Sequence, residues 1–481
     1  MNVLAIDQGT TNTKAVLISP EGQVLARASA VLTTQYPHPG WAEQSAESIW
    51  ASVQSVIAQI LAKNLPVHAL AIANQRETLV VWDAKTSRTL GPAIIWQCRR
   101  TSDDCAALLA AGHGPAVLEA TGLGINPLFP ASKLAWVMRN IPQAKALADK
   151  GQLRAGTVDA WLLWNLTAGR RFATDHSNAS RTQLFDTATL RFSPDLCRIF
   201  GVPFSALPEP LCSDAGFGET AAAVCALPAG VPILAMMGDS HAALYGHGVR
   251  KPGSVKATYG TGSSLMVLTP SRVPSGNRLS GTIAWSTQNG TAYALEGTIT
   301  VSAQAAAFMA GLLGLTGAPA LSDLAQSVAG SEGVVFVPAL AGLGAPHWDD
   351  HATGTITGIT HGTTPAHLAY ASFEAIAHQI TDVFEAMERD VGHPLSGLLA
   401  DGGASGNGFL MQLQADLLGR PVQTAEVEEI GALGVAAMAY GATRHAMPLP
   451  EPSARFEPMI APEKRQFFRD RWNIGLGRAR R

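Results

Sequence analysis

The sequence predicts an α/β protein made of two domains or of one duplicated architecture. Its 481 residues exceed what a single hydrophobic core usually holds. Apolar strands alternate with amphipathic helical segments in both halves, and a turn that carries an aspartate occurs near the start of each half. We place the domain boundary between residues 244 and 245, which gives domains of 1–244 and 245–481.

The composition indicates an ordinary globular protein, which we expect to be cytoplasmic. Hydrophobic residues make up 47% of the chain, charged residues 15%, and the formal net charge is −3. Because no domain-wide basic excess exists, nucleic acid is not an expected partner. The five cysteines include no C-x-x-C pair, so neither zinc nor redox chemistry is supported. No apolar run approaches the ~18 residues of a membrane span and no signal-peptide pattern is found. We therefore expect no membrane partner, and the sequence leaves a homo-oligomer open.

The elements of the first half begin with antiparallel hairpins. Three apolar segments joined by short polar turns predict strands at residues 3–6, 13–18 and 24–30. The segment 45–63 carries its apolar residues on one helical face and predicts an amphipathic helix. A short, wholly apolar run at 69–73 then predicts a buried strand.

The second half repeats this order of strands and turns. A strand at 231–237 ends in the aspartate-containing turn GDSH, and a hairpin follows at 257–264. A later strand begins at residue 398 and runs into the glycine-rich turn DGGASGNG, after which a helix is predicted. Strands that alternate with helices in this way are typical of an α/β fold.

Two helices are predicted near the end of the chain. A long helix begins at Thr364 with Pro365 in its first turn and ends at Gly392, which follows the usual chemistry of helix ends. The basic segment 464–481 is interpreted as a solvated terminal helix rather than a phosphate site, because acidic and apolar residues interrupt its positive charges.

The stretch AIDQGTTNTK at residues 5–14 places many hydrogen-bond donors around one carboxylate. Gly9 frees the turn, and the polar residues after it can donate to phosphate oxygens. Asp7 is suited to holding Mg²⁺ or its water shell. The alternative is a polar hairpin stabilised by an Asx-type turn. The candidate phosphate-binding residues are Thr10, Thr11, Asn12 and Lys14.

Two further glycine-rich turns, YGTGSS at 259–264 and DGGASGN at 401–407, repeat this theme. Each is by itself consistent with an ordinary hairpin or turn. Glycines in such turns let the backbone approach a ligand closely. Three turns of this kind in one chain favour nucleotide binding over coincidence.

Residues with the chemistry to bind and activate a polyol follow two of the predicted strands. Arg76 can donate and Glu77 can accept hydrogen bonds, which suits the hydroxyls of one small molecule; the alternative is a surface ion pair of small energetic value. Trp96 is either an apolar wall against a carbon backbone or a core tryptophan. Asp239 is either a cap or turn residue, or the carboxylate that a kinase places beside the attacking hydroxyl.

Motifs spread over nearly the whole chain resemble those of one enzyme family. They include AIDQGTT at residue 5, YPHPGWAE at 36, NQRET at 74, IWQCRRT at 95, NASRT at 178, YGTG at 259, ALEG at 294, GLGAPHWD at 342 and DGGA at 401. In this combination the chain resembles the FGGY carbohydrate kinases, and among these the glycerol kinases.

The resemblance implies two actin/hexokinase-type (ribonuclease H-like) α/β domains that flank a deep cleft. It also implies ATP-dependent phosphorylation, with Mg²⁺, of a primary hydroxyl of glycerol or a related short polyol or ketose. Carried over by position, it implies that Asp239 is the general base and that Asp7 and Asp239 hold the metal. The implied substrate-binding residues are Arg76, Glu77, Trp96 and Asp239. The implied ATP-binding residues are Thr10, Thr11, Asn12, Lys14, Thr261, Gly403 and Asn407.

The chain departs from the glycerol kinase pattern at several positions. Leu128 stands where tyrosine is usual, Ser240 where glutamine is usual, and Ser264 where an aromatic residue is usual. On the nucleotide side, Ala303 and Ala307 stand in place of glycine and glutamine. The substrate is therefore either glycerol held by fewer contacts or a polyol or ketose of four or five carbons, such as a tetritol or pentulose.

An actin- or chaperone-like ATPase acting on protein partners is the alternative from another functional class, since a fold does not determine a function. The predicted polyol site around Arg76 and Glu77 argues against it, because a filament or chaperone needs no such pocket. A catalytically silent sugar sensor is disfavoured because both Asp7 and Asp239 are present.

Overall fold

A computed structural model of the protein describes residues 1–425, 427 and 429–480. Across these residues the longer strands form two large sheets, one from each half of the chain. Helices cover the sheets. A buried apolar cluster between the two sheets contains residues of each sheet. The predicted α/β class is confirmed.

The first sheet has six strands in the order β5-β6-β4-β1-β2-β3. β1 pairs antiparallel with β2 and parallel with β4, and β4 in turn runs parallel to β6. The hairpins predicted at the start of the chain are therefore present. The strands are β1 (Val3–Gln8), β2 (Asn12–Ile18), β3 (Val24–Val31), β4 (Ala69–Asn74), β5 (Gly218–Glu219) and β6 (Pro232–Gly238).

The second sheet has seven strands in the order β9-β10-β8-β7-β11-β12-β13. β7 pairs antiparallel with β8 and parallel with β11, and β11 runs parallel to β12. The strands are β7 (Ser254–Tyr259), β8 (Ser263–Thr269), β9 (Ser280–Thr287), β10 (Gly290–Ile299), β11 (Gly397–Asp401), β12 (Val422–Ala425) and β13 (Pro452–Phe456).

The two sheets share the spatial order and the direction of six strands, although the edge strand β5 precedes β6 in the chain and β13 follows β12. Strands β1, β2, β3, β4, β6 and β5 correspond in order and in direction to β7, β8, β10, β11, β12 and β13, and β9 is an addition at the edge of the second sheet. The expectation of a duplicated architecture is thus met by the sheets themselves. The division of the chain into domains at 244/245 stays a prediction.

Helices connect and cover these strands. The predicted helix at 45–63 is observed as α1, and the long helix predicted from Thr364 to Gly392 is observed as α12. None of the described helices combines the length and hydropathy needed to cross a bilayer. The helices are α1 (Ala46–Leu61), α2 (Ser102–Ala110), α3 (Gly114–Thr121), α4 (Pro130–Asn140), α5 (Pro142–Asp149), α6 (Val158–Leu166), α7 (His176–Ala179), α8 (Pro194–Phe200), α9 (Asp239–Gly246), α10 (Ala303–Leu312), α11 (Ala318–Ala325), α12 (Pro365–Val391), α13 (Gly408–Leu418), α14 (Ile430–Ala442) and α15 (Pro462–Ala479).

Short strand pairs lie outside the two large sheets among the described residues. All of them are antiparallel except the pair of Ala173–Asp175 with Glu209–Leu211, which is parallel. The antiparallel pairs are Glu43–Gln44 with Ala93–Ile94, Val80–Asp83 with Leu153–Gly156, Phe185–Asp186 with Arg191–Phe192, and Val335–Val337 with Thr355–Thr357.

The terminal helix α15 is only partly solvated, which corrects the sequence-based interpretation. Arg469 and Trp472 are buried in the second half of the protein. Arg469 Nη2 lies 2.6 Å from one carboxylate oxygen of Asp382 in α12, and Trp472 Nε1 donates to the other at 2.9 Å. The charge pattern of the segment did not reveal these partners, because they lie about ninety residues earlier in the chain.

Helices α9 and α14 cross at a backbone-to-backbone contact between the two sheets. A Cβ atom added to Gly434 would lie 1.8 Å from the carbonyl oxygen of Ala242, and one added to Gly246 would lie 2.2 Å from that of Ile430. Only glycine leaves room for so close a crossing. The crossing fixes the N-terminal ends of both helices, which carry Asp239 and Gly431.

Gly434→Ala should lower the free energy of unfolding by about 1–3 kcal/mol or more, because overpacking forces the two backbones apart. Urea denaturation measures the loss. Gly441→Ala in the same helix is the matched control, because a Cβ there meets no atom within 4 Å; it should be neutral or stabilising by up to about 1 kcal/mol. Equal effects of the two changes would contradict the importance of the crossing.

Candidate active site

The predicted site residues lie at the carboxyl ends of parallel strands. Asp7 is near the end of β1, Arg76 and Glu77 follow β4, and Asp239 follows β6 directly. Because β1, β4 and β6 run parallel, their carboxyl ends lie at one edge of the sheet. Open α/β sheets bind ligands at such an edge.

Arg76 is the centre of a buried ion-pair network. Its Nε donates to Asp239 Oδ1 at 2.9 Å and its Nη1 to Glu296 Oε1 at 2.6 Å, while Glu77 Oε1 lies 3.7 Å away. Burial alone would lower the pKa of Arg76, but the carboxylates of Glu296, Glu77 and Asp239 raise it overall. Since the Arg76 side chain is only 10% exposed, the alternative of a surface ion pair is wrong.

Glu296 was not singled out from the sequence as a functional residue, although it proves central to the network. It lies in β10 of the second sheet, is fully buried, and binds two arginines of the first half of the chain, Arg76 and Arg181. The Arg181 Nη2 to Glu296 Oε2 distance is 2.7 Å. Burial raises the pKa of Glu296, but Arg181 and Arg76 lower it by more, so that it stays ionised. A single acid in the apolar part of β10 is the signal that could have identified it, because a buried charge requires partners.

The backbone of Glu77 is held in an uncommon conformation by a buried lysine. Glu77 has a φ of 59°, which costs a residue with a side chain about 1–2 kcal/mol. Lys133 Nζ donates to the carbonyl oxygens of Glu77 at 2.8 Å and Leu128 at 2.7 Å. Burial lowers the pKa of Lys133 to about 7. Lys133 therefore fixes two segments of the expected substrate pocket, and sequence reasoning did not identify it.

The carboxylate of Asp239 has one fixed oxygen and one free oxygen. Oδ1 accepts from Arg76 Nε and, at 2.6 Å, from the backbone N–H of Ser240. Oδ2 accepts no hydrogen bond from any other described residue. The Asp239 side chain is 40% exposed, so a ligand in the cleft has access to it. Asp239 opens helix α9, and its position there is consistent with both a cap residue and a reacting carboxylate.

Asp7 lies close enough to Asp239 for the two carboxylates to repel each other. Burial and the charge of Asp239 raise the pKa of Asp7 to about 7, and Lys14 opposes this increase. A Cβ on Gly431, at the start of α14, would lie 3.5 Å from Asp7 Oδ2 and 3.6 Å from the Asp239 backbone oxygen. The structure thus brings together the two carboxylates that the sequence predicts for a metal.

The phosphate-loop candidates lie on a tight turn between β1 and β2. The backbone N–H of Gly9 donates to the Asn12 carbonyl at 2.9 Å, and Thr11 is exposed while Thr10, Asn12 and Lys14 are half-buried. The indole N–H of Trp96 donates to Thr10 Oγ1 at 2.8 Å. Trp96 is therefore half-buried beside this loop and is not a core tryptophan.

A cavity of about 880 Å³ opens beside the second sheet. This volume is in the range of small-molecule and cofactor sites. Thr261, Gly403 and Asn407 line it, as the sequence predicts for nucleotide-binding residues, and so does Ala303, whereas Ala307 does not. The remaining lining is largely apolar.

The glycine-rich turn after β11 packs tightly against the end of β7. Gly402 has a φ of 88°, and a Cβ there would lie 2.7 Å from the carbonyl oxygen of Tyr259. Asn407 caps helix α13 through a 3.0 Å hydrogen bond from the Leu410 N–H, and its amide donates to Ser322 Oγ at 3.1 Å. These contacts fix the wall of the cavity.

Models of one protein family match almost the entire chain. Residues 2–246 match the N-terminal domain of the FGGY family of carbohydrate kinases, and residues 255–443 match the C-terminal domain of the same family.

Individual proteins of known name are similar over most of their length. A glycerol kinase of Symbiobacterium thermophilum is 43% identical over 490 residues, covering 99% of this chain and 98% of the relative. An apulose kinase of Pectobacterium atrosepticum is 45% identical over 440 residues, covering 90% and 88%. The solved structure of Plasmodium falciparum glycerol kinase with ADP superposes with a TM-score of 0.93 at 28% identity, covering 99% and 98%. The predicted two-domain kinase fold is thus confirmed.

Glu296→Gln should lower the free energy of unfolding by about 3–5 kcal/mol, because it removes one of the two carboxylates, Glu296 and Glu77, that the buried guanidinium groups of Arg76 and Arg181 both contact. Urea denaturation at neutral pH measures the change. The matched control is Glu457→Gln, which removes an exposed ion pair with Arg455 and should change stability by less than about 0.5 kcal/mol. Similar losses in both variants would contradict a central role for Glu296.

Asp7→Asn should stabilise the protein at pH 8 and have little effect near pH 4 when divalent cations are removed with EDTA. The folded protein holds the Asp7 proton up to about pH 7, whereas the unfolded chain releases it near pH 4. Stability is therefore lost as the pH rises between these values, by at most about 4 kcal/mol, and asparagine abolishes this loss. Thermal unfolding at several pH values measures it. A gain of the same size at pH 4 and pH 8 would contradict the raised pKa.

Proposed function

The chain belongs to the FGGY family of carbohydrate kinases, and we propose that it transfers the γ-phosphoryl group of ATP to a primary hydroxyl of a short polyol or ketose. The observation that carries the proposal is the geometry of Asp239. One of its oxygens is fixed by Arg76 and by a backbone N–H, and the other is free for a ligand. This is the arrangement that a general base requires.

The substrate hydroxyls would be bound by one group that only donates hydrogen bonds and one that only accepts them. Arg76 donates hydrogen bonds only, and the carboxylate of Glu77 accepts them only. With Lys133 fixing the Glu77 backbone, these two groups orient the reacting hydroxyl toward Asp239 Oδ2. Asp239 accepts the hydroxyl proton as the oxygen attacks phosphorus.

The nucleotide would extend from the cavity of the second half toward the turn between β1 and β2. Thr261, Gly403 and Asn407 line that cavity. The turn offers Thr10, Thr11, Asn12 and Lys14 to the phosphate oxygens. Donors and a cation fixed in advance lower the energy of the charge that develops on the transferred group.

Mg²⁺ fits the two neighbouring carboxylates of Asp7 and Asp239. Among the described residues no group of three or more His, Cys, Asp or Glu side chains is arranged around a common metal position. Mg²⁺ matches such a sparse site, because it is usually held by one or two carboxylates together with phosphates and water. When bound, it neutralises charge on the phosphate oxygens.

Two candidate substrates remain within this activity. Glycerol is the first, supported by the similarity to glycerol kinases over almost the whole chain. A ketose or polyol of four or five carbons is the second, supported by the similarity to an apulose kinase and by the serines at positions 240 and 264. An ATPase that acts on protein partners is not favoured, because the buried ion pairs around Arg76 surround a site for a small molecule.

Asp239→Asn should lower kcat by about 10²–10⁴-fold, the usual contribution of a general base, while ADP still raises the melting temperature. A coupled assay of ADP release measures kcat with glycerol, dihydroxyacetone, erythritol, xylulose and ribulose. The control is Asp195→Asn, which changes an exposed carboxylate paired with Arg198 and should leave kcat unchanged. Undiminished turnover by Asp239→Asn would exclude the proposed base, and the absence of turnover by the wild type with every substrate would exclude the proposed activity.

A further inference from the structure

Asp239 belongs to a closed ring of hydrogen-bonded groups at the base of the cleft. Arg76 joins Asp239 to Glu296. The hydroxyl of Ser264 donates to Glu296 Oε1 at 2.7 Å, and the hydroxyl oxygens of Ser264 and Ser240 lie 3.0 Å apart. The backbone N–H of Ser240 donates to Asp239 Oδ1, and this hydrogen bond closes the ring. The two serines are therefore directly connected to the groups that we expect to bind the substrate.

The hydrogen bonds between the two serines have a defined direction. Lys256 is fully buried, and its Nζ donates to Ser240 Oγ at 2.8 Å. An ammonium group only donates and a carboxylate only accepts. Because the hydroxyl of Ser264 donates its proton to Glu296, the hydroxyl of Ser240 must be the donor in its hydrogen bond with Ser264. The relay therefore runs from Lys256 through Ser240 and Ser264 to Glu296.

This direction determines what the serines can still bind. A hydroxyl group has one proton and two lone pairs. Each serine donates its proton to one neighbour in the relay and accepts a hydrogen bond from the other through one lone pair. The remaining lone pair can only accept a hydrogen bond. Ser264 is half-buried, whereas Ser240 is buried, so Ser264 is the member that a ligand reaches. Its ligand must supply a hydrogen-bond donor, which in a polyol or ketose is an O–H group; a carbonyl or phosphate oxygen does not qualify.

The other polar groups of the site already account for a three-carbon substrate. In the proposed function the reacting hydroxyl faces Asp239 Oδ2, and Arg76 and Glu77 bind two further hydroxyls. Glycerol has no fourth hydroxyl to offer. Ser264 and Arg76 bind the same oxygen of Glu296, so Ser264 Oγ lies beside the guanidinium group that we expect such a substrate to contact.

Resting on the proposed function, we propose that Ser264 and Ser240 form a hydroxyl-accepting subsite that selects a polyol or ketose of four or five carbons over glycerol. The fourth hydroxyl, on an extended or a branched carbon chain, donates to Ser264 Oγ. A site built to bond a hydroxyl discriminates against an analogue that lacks it, because its own polar group is then left unpaired.

The test compares kcat/KM for erythrulose and xylulose with kcat/KM for glycerol in a coupled assay of ADP release. The wild type should prefer at least one ketose about tenfold or more. Ser264→Ala should lower the ketose-to-glycerol ratio roughly two- to tenfold, which corresponds to one net hydrogen bond. The ratio is the diagnostic quantity, because any disturbance of Glu296 affects both substrates alike.

Two further variants separate the subsite from a general structural effect. Ser264→Thr keeps the hydroxyl and should retain the ketose-to-glycerol ratio of the wild type. Ser254→Ala removes a hydroxyl from another half-buried serine, at the start of β7, where it contacts Ser396, and should change neither the ratio nor the rates. A preference for glycerol, or a ratio that Ser264→Ala leaves unchanged, would overturn the inference while the kinase activity stands. If no polyol or ketose is phosphorylated, the result contradicts the proposed kinase activity, and the subsite inference, which rests on that activity, is overturned too.

Discussion

The bridge that Glu296 forms between Arg76 and Arg181 is the interaction on which the rest of the site depends. Removing an ion from water costs several kcal/mol, so the two guanidinium groups and the carboxylates of Glu296 and Glu77 remain buried together only if they satisfy one another. Glu296 comes from the second sheet and both arginines come from the first half of the chain. The ion pairs that hold the two halves together at the base of the cleft also orient Arg76 toward Asp239.

The repeated strand arrangement explains why polar residues in both halves lie at the carboxyl ends of parallel strands. In each half a hairpin is followed by parallel strands, and the loops at their carboxyl ends carry the polar residues. The first copy uses these ends for Asp7, Arg76 and Asp239. The second copy uses the equivalent ends for the glycine-rich turns around the cavity. One strand arrangement therefore positions two different sets of residues: charged side chains in the first half and glycine-rich turns in the second.

The sequence predicted what local chemistry controls and missed what depends on distant partners. Pro365 and Gly392 delimit α12 as expected, since helix ends are determined by neighbouring residues. Asp7, Arg76 and Asp239 were recognisable because each follows or ends an apolar strand. The role of Glu296 was not, because Arg76 lies 220 residues away from it. The contact of Lys133 with Glu77 and the buried face of α15 were missed for the same reason: the partners lie 56 and about ninety residues away, and composition alone suggested exposure.

The hydrogen bond from Trp96 to Thr10 has a consequence for how two ligands affect each other. It joins a residue of the expected sugar pocket to the loop expected to contact phosphate. Equilibrium coupling between two sites is reciprocal: a factor by which the first ligand tightens the second is the factor by which the second tightens the first. Synergy transmitted through this indole is therefore symmetric: the factor by which the sugar tightens the nucleotide equals the factor by which the nucleotide tightens the sugar.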